Sequence, residues 1–167
     1  MRIVGVDPGK TTGIAVIEAD ERGWHLCARY DRTPEGEMRG EQLANLRTGI
    51  GLEIRRADAV AMEEMLAYRQ ATADEKVEAQ AVVKLTAWER RVPLVTYAPA
   101  TVRSVICRDG RADVRTIRET LRFLVRAPKT SKKGQGWSHH QYDALAVALC
   151  HLARSGFVLD RCVEVAA

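Results

Sequence analysis

Arg2-Ile3-Val4-Gly5-Val6-Asp7-Pro8-Gly9-Lys10-Thr11-Thr12-Gly13-Ile14-Ala15-Val16-Ile17-Glu18-Ala19 is the stretch from which the architecture is read. Arg2–Asp7 alternates and is rich in Ile and Val, which predicts a strand. Pro8 to Gly13 is a tight turn by its Pro and Gly content. Gly13–Ala19 is a second strand, and Trp24–Tyr30, after the turn Asp20-Glu21-Arg22-Gly23, is a third. Consecutive strands with short links predict an antiparallel meander. Beyond it the pattern changes. Leu43, Leu46, Ile50 and Ile54 have helical spacing within Glu35 to about Ala57, although Gly49 and Gly51 weaken that helix. Ala59–Met65 reads as a buried strand. About Asp74–Arg91 reads as a helix carrying Val77, Ala81, Val82, Leu85 and Trp88 along one side, and Pro93–Tyr97 as a fifth strand. A short helix is expected around Thr101–Cys107. Another runs to Val125 from Asp113, a good N-cap. The last spans about His139–Ala153, opened by Ser138 and Gln141 in a Ser-x-x-Gln capping box. Ala127–Trp137, with its Pro, Gly, Ser and Lys residues, reads as a loop. The result is a mixed α/β arrangement in which strands four and five, each reached through a helix, lie parallel to the first.

The 167 residues fit one domain, 1–167, with enough length to bury a core. Hydrophobic residues at 46% and charged residues at 29% are ordinary for a globular protein. No apolar run approaches the roughly 20 residues of a membrane helix, and the N-terminus has no apolar segment followed by a small-residue cleavage site. The expected location is therefore cytoplasmic. Cys27, Cys107, Cys150 and Cys162 are scattered and form no CxxC pair. Zinc ligands would cluster, so these four read as reduced thiols. The formal net charge of +4 hints at a polyanionic partner.

The residues that bear chemistry stand where apolar runs stop. Asp7 ends the first strand, and its bland reading is a turn-initiating Asp beside Pro8. Glu63 and Glu64 end the fourth. Side chains alternate along a strand, so at most one of the two shares a site with Asp7. His140 and Asp143 lie three apart at the start of the apolar last helix, on one face, with His139 a competing candidate. Asp7, Glu63, His140 and Asp143 together form a hard-ligand set that suits Mg²⁺ or Mn²⁺. Two such ions about 4 Å apart activate water and stabilise the leaving oxygen in phosphodiester hydrolysis. Gly5 to Thr11 resembles a P-loop but fails as one, since only Val6, Asp7 and Pro8 separate its glycines. Lys10 remains a candidate phosphate contact. Arg103, Arg108, Arg111, Arg115, Arg118, Arg122 and Arg126 are followed by Lys129, Lys132 and Lys133. Arg111, Arg115, Arg118 and Arg122 make a helical stripe. Such stripes are often only solvated faces, but the lysines beside this one favour contact with a nucleic-acid backbone.

Four ordered blocks carry a resemblance that spans nearly the whole chain. They are Ile3-Val4-Gly5-Val6-Asp7-Pro8-Gly9 with Thr12-Gly13; Ala61-Met62-Glu63-Glu64; Tyr97-Ala98-Pro99 with Val102-Arg103 and Gly110-Arg111-Ala112-Asp113; and His140-Gln141-Tyr142-Asp143-Ala144-Leu145-Ala146-Val147-Ala148. The sequence resembles RuvC-type Holliday junction resolvases. That resemblance implies a ribonuclease H-like fold, with a five-stranded mixed sheet flanked by helices. It further implies a homodimer, Mg²⁺ or Mn²⁺ dependence, a branch-migration helicase complex as partner, and symmetric nicking of a four-way junction. It favours Glu63 over Glu64 and makes Asp7, Glu63, His140 and Asp143 the metal residues. His140 stands where many members have Asp, which removes one negative charge and offers a general base instead. At the position after the second acid where the family carries a stacking aromatic, this chain reads Leu66, with Tyr68 and Arg69 beside it. Three other readings remain: a nuclease of the same fold acting on flaps or RNA–DNA hybrids, a non-catalytic junction binder, and an actin-like ATPase. The last needs two lobes, and this length holds one.

Overall fold

The computed structural model describes residues 1–64, 73–125, 136–160 and 162. Strands β1 (Arg2–Asp7), β2 (Thr12–Asp20) and β3 (Gly23–Arg32) form the antiparallel meander. Helix α1 (Arg39–Ile54) leads to β4 (Ala59–Glu63), and α2 (Ala73–Glu89) leads to β5 (Leu94–Tyr97). Both later strands run parallel to β1, giving the sheet order β3-β2-β1-β4-β5. Helices α3 (Pro99–Cys107), α4 (Val114–Leu124) and α5 (His139–Arg154) complete the fold.

Alternation along the strands divides the core into two. On one face of the sheet Ile3, Ala15, Ile17, Ala61 and Trp24 pack with α3, α4 and α5. On the other, Val4, Val6, Ile14, Val16, Val60 and Met62 meet α1 and α2 through Leu46, Ile50, Ile54, Ala79 and Val83. The sheet is thus covered on both sides, as the near-continuous apolar runs of β1 and β4 require. The chain after α5 returns to the edge strand, where the Trp24 indole Nε1–H donates to the Leu159 carbonyl at 2.9 Å.

Several boundaries differ from the sequence expectation, each for a local reason. Helix α1 starts at Arg39, not near Glu35, because the Glu41 carboxylate accepts from the backbone N–H of Glu37 and Met38 at 3.0 and 3.3 Å. Strand β4 ends at Glu63, with the Glu64 N–H donating to the Tyr97 carbonyl. Helix α3 starts earlier, at Pro99, whose fixed φ and missing N–H suit a first turn. The capping box of α5 is only half formed. Ser138 Oγ accepts from Gln141 N–H at 3.1 Å, but the Gln141 side chain is taken by Arg29 at 2.6 Å.

A candidate metal centre at the carboxyl ends of the central strands

The register of the sheet assembles the first two carboxylates. Val6 pairs with Met62 across the parallel β1–β4 ladder. Asp7 and Glu63 each follow by one residue, so they stand side by side where the two strands end. Asp7 shares the parity of Ile3 and Gly5, and Glu63 that of Ala61, so both belong to the face covered by α5. Glu64 has the opposite parity and is exposed. Alternation therefore selects Glu63 as the partner of Asp7.

Helix α5 brings the other two residues by packing unusually close to the sheet. A Cβ at Gly5 would collide with the Ala144 carbonyl and Ala148, and one at Gly13 with the His140 backbone. These two glycines let the first turns of α5 lie directly on β1 and β2. His140 Nδ1 then sits 2.7 Å from Asp7 Oδ2. His139 is exposed, its ring centroid 3.8 Å from that of His140.

The electrostatics are those of a crowded anionic site. Burial, then the charges of Asp143 and Asp7, push the Glu63 carboxyl up to about 7. Burial and the charge of Asp7 push Asp143 up to about 6. The hydrogen bond to Asp7 raises the His140 imidazole above its ordinary value. Among the described residues neither the Glu63 nor the Asp143 carboxylate hydrogen-bonds a protein group. No three donor atoms of the quartet lie within 4.8 Å of one another; the one set of described residues that does is Glu18, His25 and Cys27, elsewhere on the sheet. Half-buried oxygens that repel one another and lack a protein partner fit a hard divalent cation, which would draw them inward.

Three cations surround this cluster. Lys76 of α2 and Arg103 of α3 lower Glu63, and Lys76 and Arg118 of α4 lower Asp143. Lys76 is not among the binding candidates drawn from sequence, and Arg118 enters there only as one member of the basic stripe. Lys76 had a findable signal, since it lies in the first turns of the helix that follows the Glu63 strand. Arg118 was lost inside the stripe, which the structure splits. Exposed Arg115 pairs with Glu119 of its own helix at 2.9 Å. Arg118 and Arg122 turn toward α5, where Arg122 Nε donates to the Tyr142 hydroxyl at 2.7 Å and both guanidinium groups lie near the Tyr142 ring. Tyr142 also stacks on Trp137, which lies under Arg29. Of the remaining candidates, Lys10 is exposed in the turn after Asp7, and Arg108 and Arg111 are exposed between α3 and α4. Leu66, Tyr68, Arg69, Lys129, Lys132 and Lys133 lie outside the described residues.

A mixed sheet of this order, with acids at the ends of its two central parallel strands and on the helix across them, defines a nuclease of the ribonuclease H-like class. The family model described as crossover junction endodeoxyribonuclease RuvC matches residues 3–151. A protein of that name from Thermomicrobium roseum is 32% identical, covering 93% of this chain and 94% of that protein. One from Streptomyces avermitilis is also 32% identical, covering 93% and 89%. The RuvC structure from Thermus thermophilus superposes with a TM-score of 0.79 at 25% identity, covering 94% of this chain and 98% of that one. The same organism's RuvC in complex with its Holliday junction substrate gives 0.78 at 26% identity, covering 93% and 96%. The chain belongs to the crossover junction endodeoxyribonuclease RuvC family.

Proposed function

We propose that this chain is a metal-dependent endonuclease that resolves four-way DNA junctions, acting as one nuclease domain over residues 1–167. The observation that carries this reading is the quartet at the carboxyl ends of β1 and β4, where Glu63 and Asp143 are half-buried without protein partners among the described residues. The relative from T. thermophilus, which adopts the same fold, is a structure with Holliday junction substrate. Asp7, Glu63, His140 and Asp143 hold two Mg²⁺ or Mn²⁺ ions in this proposal. Such ions activate an attacking water and neutralise the leaving oxygen. His140 steadies Asp7 through Nδ1, which leaves Nε2 as a metal ligand or as a base toward water. Lys76, Arg103 and Arg118 are placed to receive phosphate oxygens at the edge of the cluster. The setting is cytoplasmic, beside a branch-migration helicase complex. No helix among the described residues is long and apolar enough to cross a membrane.

Resolution needs two nicks, and the proposal supplies them with a homodimer. Helix α2 packs on α1 through Ala79, Val83 and Ala87, while Val77 and Leu85 are half-exposed and Trp88 is 77% exposed. With Ala81, these make an apolar stripe facing away from the core, which suits a second copy of the chain. Trp88→Glu is expected to shift the sedimentation profile from dimer toward monomer and to abolish paired nicking. An unchanged profile would move the interface elsewhere.

The deciding experiment is cleavage of a synthetic four-way junction, flap, duplex and RNA–DNA hybrid, each with and without Mg²⁺ or Mn²⁺. Metal-dependent cutting selective for the junction is expected. Preference for flap or hybrid would reassign the substrate, and binding without cutting in any metal would make the chain a non-catalytic relative.

A further inference from the structure

The end of the sheet away from Asp7 carries a second set of donors with a different character. Glu18 lies on β2, and His25 and Cys27 lie on β3. One atom from each of the three falls within 4.8 Å of the other two. The strand backbone explains the gathering. Val16 pairs with Ala28 and Ile17 with Leu26, so Cys27 is the extra residue of a β-bulge. Trp24 and Leu26 face the α5 side, whereas Ala28 and Tyr30 face the α1 side. Counted from Trp24 and Leu26, alternation puts His25 and Cys27 on the α1 side with Glu18, and the bulge keeps Ala28 on that same side.

We propose that Glu18, His25 and Cys27 form a zinc-type metal site. A thiolate, an imidazole and a carboxylate suit Zn²⁺ or Co²⁺ far better than the Mg²⁺ or Mn²⁺ of the four-residue cluster. Bond lengths of about 2.0–2.3 Å in a tetrahedron place ligand atoms about 3.3–3.8 Å apart. Glu18 Oε2 and His25 Nε2 are already 3.6 Å apart, so only a modest closure of the sulfur is needed. Arg2 Nη1 donates to the other oxygen of Glu18 at 2.5 Å and fixes the carboxylate with Oε2 toward the histidine. Such outer partners orient ligands in metal sites. Glu18 and His25 line an open cleft of about 420 Å³ with Met1, Asp20, Arg56 and Asp58, which supplies an entry path and room for a fourth, water ligand. Cys27 is exposed, and its thiol gives a proton to solvent as the metal binds. Glu18 lies five positions along β2 from Gly13, the partner of Asp7, a span of about 17 Å at strand rise. The cluster also lies on the opposite face of the sheet, so the ion would staple the β2–β3 hairpin without entering the cleavage site.

Cobalt(II) titrated into the full chain tests the proposal, because a near-ultraviolet thiolate-to-metal band can arise only from a cysteine ligand. The expected result is one such band per chain, bleached by Zn²⁺, absent in Cys27→Ser, and needing about tenfold or more cobalt in His25→Ala. Both variants should cleave junction DNA in Mg²⁺ like the parent. On the unaltered protein, peptide-resolved alkylation should show Zn²⁺ slowing modification of Cys27 but not of Cys107. No band, a band that persists in Cys27→Ser, or an alkylation rate at Cys27 indifferent to Zn²⁺ would overturn the site.

Discussion

The two ends of the central sheet treat their carboxylates in opposite ways. At the Arg2 end, Glu18 and Glu53 both bind the Arg2 guanidinium, at 2.5 and 3.0 Å. The hydrogen bond from Arg2 holds the Glu18 carboxyl below its ordinary value. At the Asp7 end, Glu63 and Asp143 have no such partner among the described residues and are pushed up to about 7 and about 6. The cations differ in the same way. Arg2 is consumed by its acids, whereas among the described residues Lys76, Arg103 and Arg118 make no salt bridge. One end pairs its acids with an arginine of the protein, and the other leaves charges of both signs unpaired among the described residues. Unneutralised groups of this kind mark functional sites.

Exchanging a single oxygen at the open end gives the largest expected effect. Asp7→Asn keeps the shape but loses a proposed metal ligand, so junction cleavage should fall by about 10³-fold or more in single-turnover assays. Junction affinity should stay within a few-fold. Cleavage close to the parent would remove Asp7 from the mechanism and, with it, the contrast between the ends.

The idle cations provide the next test. Lys76→Ala with Arg103→Ala should flatten the slope of log K against log salt by about 1–2, because each lost phosphate contact accounts for about 0.9 on duplex DNA. Arg2→Ala should leave that slope alone and lower the melting temperature instead, since it strands two glutamates. A salt slope that responds to Arg2 as much as to the other pair would erase the distinction.

How much of this was legible in the sequence follows from the range of the interactions involved. The five strands and their directions came from alternation and link length, which are local, and the sheet has the expected mix of antiparallel and parallel strands. Parity shows that Glu63 and Glu64 face opposite ways, the resemblance favours Glu63, and the β1–β4 register sets Glu63 beside Asp7. The helix through Gly49 and Gly51 was harder to read. It persists because Gly49 leaves room for the Arg32 guanidinium, a contact between residues 17 apart in sequence. Lys76, the place of Arg118 beside Asp143, and the Glu18–His25–Cys27 set are not legible for a related reason. A cation on one helix and an acid on another meet only through the packing, and donors on two paired strands meet only through their register. Scattered cysteines speak against a zinc site in sequence, and the site proposed above would gather its donors across a strand pair, which sequence spacing does not show.

The smallest predicted effect is in stability, and it has opposite signs at the two ends. Glu63 and Asp143 have raised values, so in the absence of metal the folded chain holds protons that the unfolded chain has already released. Stability then falls as pH rises from the ordinary carboxylate range to about 7, and His140, also raised, adds a loss in the same direction above its ordinary value. Glu18 is lowered, so its contribution is present at neutral pH and fades only on acidification. Without metal at pH 8, Glu63→Gln should therefore stabilise the protein by about 1–3 kcal/mol and raise the melting temperature by several degrees. Glu18→Gln should lower it by less, because an exposed ion pair contributes about 1 kcal/mol at most. Mg²⁺ or Mn²⁺ should stabilise the parent at pH 8 and narrow its gap to Glu63→Gln. If the two variants shifted the melting temperature in the same direction, the strain attributed to the open end would not exist, and the half-buried acids would need another explanation.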